Sequence, residues 1–189
     1  QKRLTVIRWN AFVRGGARLE PAAKSRLAAI NTELAGAYTT FSQNLLFDEG
    51  AYVLYLKDAD LAGLPADVRA AAAAAAVERK HPGEYAILNT RSSVDPFLTY
   101  SDRRDLRQQV WTTFYNRGDN GDARDNNSVI RKILKLRAER AKLLGFPTHA
   151  HWRLANNSMA DTPQAAMDLM LRVWPAATAR VREEVAEMQ

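Results

Sequence analysis

Residues 127–145 read NSVIRKILKLRAERAKLLG and carry the strongest helical pattern in the chain. Many of their apolar side chains have another apolar side chain three or four residues further on. The apolar set is Val129, Ile130, Ile133, Leu134, Leu136, Ala141 and Leu144. Arg and Lys side chains fill the positions between them, as on the solvated face of an amphipathic helix. Asn127 or Ser128 is suited to cap the first turn, and Gly145 with Pro147 ends the pattern. The stretch predicts a helix.

Similar signals lie on the N-terminal side of this helix. Residues 4–14 are apolar at mixed spacing and end at Gly15, which predicts a short helix. Pro21 suits the first position of a helix, and apolar residues follow it at steps of three and four, predicting a long helix to about Phe47. Seven consecutive alanines at 70–76 predict another helix.

The region from Pro96 onward is also predicted to be largely helical. Pro96 is expected to lie in a loop, and Ser101 is expected to cap a helix with Asp102 and Asp105 in its first turn. Two further helices are expected to begin at Thr148 and at Thr162-Pro163, and a kink is predicted where Pro175 interrupts the last one.

Two short segments are typical of strands instead. Ala51–Leu56 and Tyr85–Thr90 are rich in aromatic and branched residues and are bounded by Gly or Pro. Because they flank the alanine-rich helix, they are predicted to pair in parallel as a small crossover unit. The fold class is therefore mainly α with a minor pair of short strands. Residues 1–189 are interpreted as one partial helical domain, divisible into 1–100 and 101–189.

Charge and composition restrict the classes of function. The chain has 189 residues, a formal charge of +6 and no cysteine, which excludes a disulfide scaffold, a zinc ribbon and a cysteine nucleophile. Residues 1–19 hold five basic and no acidic side chains, and residues 102–146 hold eleven basic and six acidic ones. Basic residues interleaved with apolar ones indicate solvated helix faces, so no nucleic acid partner is expected. A basic helical binding module is kept as the alternative, since such faces also suit acidic partners.

The histidines and acidic loops do not form a recognisable metal site. His149 and His151 are two residues apart, so they point to different sides of a helix, and His81 with Glu84 does not complete a His-Glu-x-x-His motif. The acidic loop at 118–127 has the wrong residues at the ligand positions of a calcium loop, which indicates an ordinary flexible connector.

Nucleophile and phosphate-binding motifs are absent from the sequence as well. None of the serines lies in a Gly-x-Ser-x-Gly elbow, and the glycines lack phosphate-loop spacing. Arg103, Arg104 and Arg107 could clamp a carboxylate or phosphate, although a solvated helix face beside Asp102 and Asp105 is the simpler interpretation. The residues alone therefore predict no catalytic, cofactor-binding or metal-binding side chain.

Two further features concern the limits of the chain. No apolar run reaches the roughly 20 residues that a membrane-spanning helix needs, so no membrane partner is expected. The first residue is Gln1 rather than Met, and the helical pattern before Gln189 has no stop signal. We therefore expect an internal segment of a longer protein.

Several segments in order resemble the thimet oligopeptidase family of zinc metallopeptidases. They are Tyr38–Leu46, Leu61–Pro65, Pro96–Arg103 with Leu106-Arg107, Asp125–Asn127, Ile133–Phe146, Leu154-Ala155 and Met159-Ala160. Within that family, residues 89–93 and the loop at 116–127 are more similar to the peptidyl-dipeptidase branch than to the oligopeptidase A branch.

The resemblance implies a large, almost wholly helical, two-lobed parent with a deep channel for short peptides. In that family, zinc bound by a His-Glu-x-x-His helix and a later Glu activates the attacking water. The motif is absent here, so the resemblance places no catalytic, cofactor or metal residue in this segment and implies scaffold and channel wall, against which the rest of the parent packs. Zinc is expected as the parent's cofactor. Release of C-terminal dipeptides is expected, with an oligopeptidase A-like endopeptidase as alternative, in the cytoplasm or alternatively the periplasm.

Overall fold

The computed structural model describes residues 1–157, 160 and 162–189, with the side chains of residues 156 and 157 excepted. Met159, which contributes to the family resemblance, lies outside these residues. The described part of the chain is mainly helical, which confirms the predicted fold class. Its helices are α1 Lys2–Arg14, α2 Pro21–Ala51, α3 Ala66–Glu78, α4 Arg91–Tyr100, α5 Arg104–Tyr115, α6 Asn127–Leu143, α7 His149–Asn157 and α8 Pro163–Met188. Its strands are β1 Val53–Leu56 and β2 Tyr85–Leu88.

Local signals locate most of the helix ends correctly. Helix α1 ends at Gly15, whose N–H donates to the carbonyl of Ala11, and α2 begins at Pro21. The N-cap of α8 is Thr162, whose hydroxyl accepts a hydrogen bond from the N–H of Ala165 at 3.1 Å. These ends match the sequence because a cap acts within a few residues of itself.

The strands pair antiparallel, so the predicted parallel crossover is wrong. Leu54 pairs with Ile87 and Leu56 with Tyr85 in a two-stranded sheet. A crossover gives parallel strands only when the chain reverses once before and once after the helix. Here residues 57–65 contain a 3-10 turn at Asp58–Asp60 and Gly63 with φ +83°, so the connection from β1 to α3 is longer and more turned than the short loop of a simple crossover.

Helix α4 runs through Pro96, where the sequence predicted a loop. A proline in a helix interior costs about 3 kcal/mol, because it lacks an N–H and crowds the preceding turn. Val94 and Phe97 on the same helix are completely buried, and burying each such side chain contributes about 1.5–3 kcal/mol. The apolar burial therefore outweighs the cost of the proline.

Ser101 ends α4 rather than beginning α5, so its predicted role as an N-cap is wrong. Its hydroxyl accepts a hydrogen bond from the N–H of Arg103, which is the N-cap of α5. The N–H of Asp102 donates to the carbonyl of Ala62 at 3.0 Å, a contact that holds Asp102 outside the helix. Asp105 does lie in the first turn of α5, as predicted.

The chain forms two compact units, residues 36–132 and residues 1–35 with 133–189. The predicted boundary between residues 100 and 101 lies within the unit of residues 36–132, and the division at that point stays a prediction. In the unit of residues 36–132, the core lies where the sheet packs against α3, α4 and α5. Its buried members are Leu56, Leu61, Leu64, Ala72, Ile87, Val94, Phe97 and Val110.

The unit of residues 1–35 and 133–189 combines α1, the first part of α2, the last part of α6, α7 and α8. The indole N–H of Trp152 donates to the carbonyl of Arg14, which joins α7 to the end of α1. Arg26 on α2 forms two hydrogen bonds with the carboxylate of Glu139 on α6, at 2.6 and 2.7 Å. Because both side chains of the Arg26–Glu139 pair are partly exposed, the pair contributes little to stability. Its main effect is to fix how α2 and α6 lie against each other within this unit.

Candidate functional site

A network of buried polar groups surrounds Asp48, which lies near the end of α2. The side chain of Asp48 is 1% exposed. Its Oδ2 accepts hydrogen bonds from the N–H of Gly118 at 2.7 Å and from Nδ2 of Asn120 at 3.0 Å. Asn89, which is also buried, donates to the backbone carbonyl of Asp48. Buried polar atoms need such partners, and the network joins α2 to the loop before α6.

Asn126 makes a second connection between the same loop and α2. Its amide group donates to the carbonyl of Phe41 and accepts from Asn44. Gly118 lies close by with φ +71°, and a Cβ added there would lie 2.7 Å from Nδ2 of Asn126. Glycine is therefore required both by the backbone conformation and by the close approach of Asn126.

The acidic residues of the 118–127 loop bind the loop's own backbone. Asp125 accepts from the N–H groups of Gly121 and Asn127, and Asp122 accepts from that of Arg124. The hydrogen bond from Asn127, more than any other cause, lowers the pKa of Asp125. These carboxylates stabilise local turns. The loop is the connector that the sequence predicted, but it is anchored to α2 by bonds that the sequence did not reveal.

The three histidines lie in separate surroundings. Nδ1 of His81 lies 3.0 Å from the carboxylate of Glu84, and its ring stacks on Tyr55. His151 forms a hydrogen bond with Thr148. The pKa of His149 is lowered, first by burial and then by the charges of nearby arginines. Among residues 1–157, 160 and 162–189, no three His, Cys, Asp or Glu side chains are grouped so as to hold a metal.

The three arginines at the start of α5 do not form one clamp. Arg103 forms ion pairs with Asp60 at 2.6 Å and Asp105 at 2.7 Å. The hydrogen bond from Arg103 lowers the pKa of Asp105 to about 2. Arg107 donates from Nη1 to the carbonyl of Ser101, and Arg104 is exposed. Sequence reasoning grouped these side chains by spacing, but only Arg103 has carboxylate partners in the described part of the chain.

Arg104 and Arg107 do lie on one shallow groove, which we call the α5 groove. Its volume is about 440 Å³. The residues that line it are Leu98, Arg104, Arg107, Gln108 and Trp111. The indole of Trp111 is 52% exposed and lies 5.0 Å from the ring of Tyr115, one turn further along the helix. The groove thus combines two guanidinium groups with an open aromatic face.

Helices α1 and α8 expose their apolar side chains. Neither helix has a buried residue in the described part of the chain. Trp9 on α1 is 61% exposed and Trp174 on α8 is 66% exposed. Exposed apolar residues in such density are typical of surfaces that another polypeptide covers. No helix among the described residues is long and apolar enough to cross a membrane.

Known proteins of one family are similar to this chain over almost its whole length. Residues 97–189 match the family model described as peptidase family M3. The dipeptidyl carboxypeptidase of Escherichia coli K12 is 35% identical over 188 residues, which are 99% of this chain and 28% of that protein. The oligopeptidase A of Salmonella typhimurium LT2 is 32% identical over 183 residues, 94% of this chain and 27% of that protein.

A plant relative extends the same comparison. The probable cytosolic oligopeptidase A of Arabidopsis thaliana is 30% identical over 172 residues, covering 87% of this chain and 24% of that protein. The chain thus spans between a quarter and a third of the length of the two bacterial relatives. The dipeptidyl carboxypeptidase has a higher identity to this chain than the oligopeptidase A, which agrees with the resemblance inferred from residues 89–93 and 116–127.

Proposed function

We propose, on the premise that this chain belongs to peptidase family M3, that it is a non-catalytic helical segment of a zinc metallopeptidase that hydrolyses short oligopeptides. The similarity to dipeptidyl carboxypeptidase over 99% of the chain carries the proposal. We further propose that the parent releases C-terminal dipeptides, because that relative has the higher identity, 35% against 32% for oligopeptidase A. Peptides rather than nucleic acids are its proposed substrates.

We propose that the residues that bind the parent's zinc lie outside this chain. The sequence contains no His-Glu-x-x-His motif, and the described ranges bring together no set of His, Cys, Asp or Glu side chains suited to a metal. We therefore propose that the described residues hold no zinc ligand, and we assign them no hydrolytic step. Their proposed role is to form scaffold and channel wall.

The exposed apolar faces of α1 and α8 support the scaffold role. On α1, Leu4, Ile7, Trp9 and Phe12 are all more than half exposed. Covering such a surface contributes about 25 cal/mol for each Å² of apolar area. We propose that the remainder of the parent packs on these faces. We also propose a cytoplasmic location.

The parent reading frame provides the first test. We expect a His-Glu-x-x-His motif beyond Gln189, and its absence would contradict the peptidase proposal. The protein encoded by the whole frame is then incubated with an N-acetylated pentapeptide and, separately, with a longer N-acetylated peptide, and the products are identified by mass spectrometry. Release of the C-terminal dipeptide supports the proposal, whereas internal cleavage of longer peptides with no dipeptide release supports an oligopeptidase A-like endopeptidase.

The isolated chain of 189 residues provides the matched control. With equimolar zinc, we expect this isolated chain to bind no stoichiometric amount of zinc and to release no peptide product. Hydrolysis by this chain that a chelator abolishes would refute its non-catalytic role.

A further inference from the structure

The α5 groove has positive charge that no nearby carboxylate neutralises. Asp60 and Asp105, two carboxylates at the start of α5, are both paired with Arg103. Arg104 forms no ion pair within the described ranges, and Arg107 uses one of its five N–H donors on the Ser101 carbonyl. Two guanidinium groups thus retain donors in the fork geometry that matches a carboxylate.

Other acidic side chains near α5 form no ion pair with Arg104 or Arg107 in the described part of the chain. Asp102 precedes the helix and lies against Gly63, since a Cβ added to that glycine would be 2.9 Å from the carboxyl carbon of Asp102. Asp95 on α4 pairs with Arg91 at 2.9 Å. The groove itself is lined by no acidic residue. Its charge is therefore complementary to an anion.

The apolar part of the groove is suited to a side chain rather than to a bare ion. Trp111 presents its ring beside Leu98, and Tyr115 extends the aromatic surface by one helical turn. Exposed Trp, Tyr and Arg side chains are the residue types that dominate binding energy at interfaces. The groove is shallow and open along one side of α5, so it can accommodate the end of an extended peptide.

We propose that the α5 groove binds the C-terminal end of a short peptide, with the free α-carboxylate on Arg104 and Arg107 and the last side chain, apolar, against Trp111. A chain terminus is favoured over an internal acidic segment because the groove is short and lined by only five residues. The proposal rests on the proposed function only in taking peptides as the ligand class. Its test measures binding without hydrolysis, so a failure of one is distinguishable from a failure of the other.

The probe is N-acetyl-Ala-Ala-Phe with a free C-terminus, compared with the same peptide as its C-terminal amide. Binding is followed by the indole N–H signals of the ¹⁵N-labelled chain, which has four tryptophans. The signal of Trp111 is assigned by its loss in Trp111→Phe. We expect this signal to shift with a dissociation constant on the order of 0.1–1 mM for the acid, and binding of the amide to be about tenfold weaker, since a charge-assisted bond is lost.

Substitutions of single arginines test whether binding depends on the positive charge of the groove. Arg104→Gln removes an exposed guanidinium on the same helix and is expected to weaken binding of the acid about tenfold while leaving the amide unchanged. Arg104→Lys keeps the charge without the fork and is expected to give an intermediate affinity. Arg131→Gln, which removes an exposed arginine of α6 in the same unit, is the matched control and is expected to have no effect.

Four results would overturn the proposal. The first is equal binding of acid and amide, and the second is unchanged affinity in Arg104→Gln. The third is equal binding of N-acetyl-Glu-Ala-Phe-amide, which would assign the groove to side-chain carboxylates of internal segments. The fourth is absence of any shift of the Trp111 signal at 10 mM peptide, about ten times the weakest expected dissociation constant.

Discussion

Replacement of Asp48 by alanine tests whether the loop before α6 is anchored through this side chain. Oδ2 of Asp48 accepts from the N–H of Gly118 at 2.7 Å and from the side chain of Asn120 at 3.0 Å. Gly118 is buried, whereas Asn120 is exposed and can bond to water after the substitution. The main cost is therefore one buried N–H without an acceptor.

An unsatisfied buried group of this kind costs about 1–3 kcal/mol. We expect Asp48→Ala to lower the free energy of unfolding by about 2 kcal/mol. Asp48→Asn keeps an oxygen in place of Oδ2 and is expected to cost about 0.5–1 kcal/mol, because an acceptor for both donors remains. The other oxygen of Asp48 is buried and has no hydrogen-bond partner within the described residues, so the amide N–H groups of asparagine would lack an acceptor there, which accounts for the remaining cost.

The assay combines urea unfolding with amide hydrogen exchange. A loss of 2 kcal/mol corresponds to about thirtyfold faster exchange of the Gly118 N–H if that amide exchanges through opening of the anchored loop. Asp95→Ala is the matched control, since that carboxylate is 54% exposed and forms an i,i+4 pair with Arg91, which is worth about 0.3–0.5 kcal/mol.

The reasoning is refuted if Asp48→Ala and Asp95→Ala have the same stability within 0.5 kcal/mol and the Gly118 amide exchanges at the wild-type rate. A selective gain in Gly118 exchange at unchanged global stability would confirm the anchor while limiting its effect to the loop.

Three further predictions concern the core, the loop backbone and pH. Phe97 is fully buried, so Phe97→Ala is expected to cost about 3–5 kcal/mol in urea unfolding. Gly118→Ala places a Cβ 2.7 Å from Nδ2 of Asn126 at φ +71° and is expected to cost at least 1–2 kcal/mol in thermal unfolding. The pKa of His149 is lowered from 6.5, so the unfolded chain takes up its proton first and stability is expected to fall as pH drops below about 6.5. In unfolding between pH 7.5 and 5.5, His149→Phe is expected to reduce this slope and His151→Gln to leave it, and equal slopes in all three proteins would contradict the assignment.

The helices of this chain were predictable because their signals are local. Pro21, Gly15 and Thr162 each act on backbone groups within four residues. The three-and-four spacing of apolar residues at 127–145 likewise needs no knowledge of distant segments. The bounds of α6, Asn127–Leu143, accordingly agree closely with the prediction.

The features that the sequence concealed depend on distant residues. Pro96 remains helical because Val94 and Phe97 are buried in a core built from β1, β2, α3 and α5. No motif identified Asp48, whose partners lie about 70 residues further along the chain. In a sequence, a single acidic residue near the end of a long helix gives no sign of burial, so Asp48 could be recognised only from the folded structure.

The candidate binding groove shows the same division. The sequence predicted a helix over the stretch that contains Arg104, Arg107 and Trp111, and it grouped Arg104 and Arg107 with Arg103. Which guanidinium groups remain available to a ligand depends on distant residues. Arg103, for example, donates a hydrogen bond to Asp60, which lies 43 positions away in the sequence. Helix positions follow from backbone hydrogen bonding over a single turn, whereas strand direction, burial and ion pairing depend on contacts that form only when distant segments pack together.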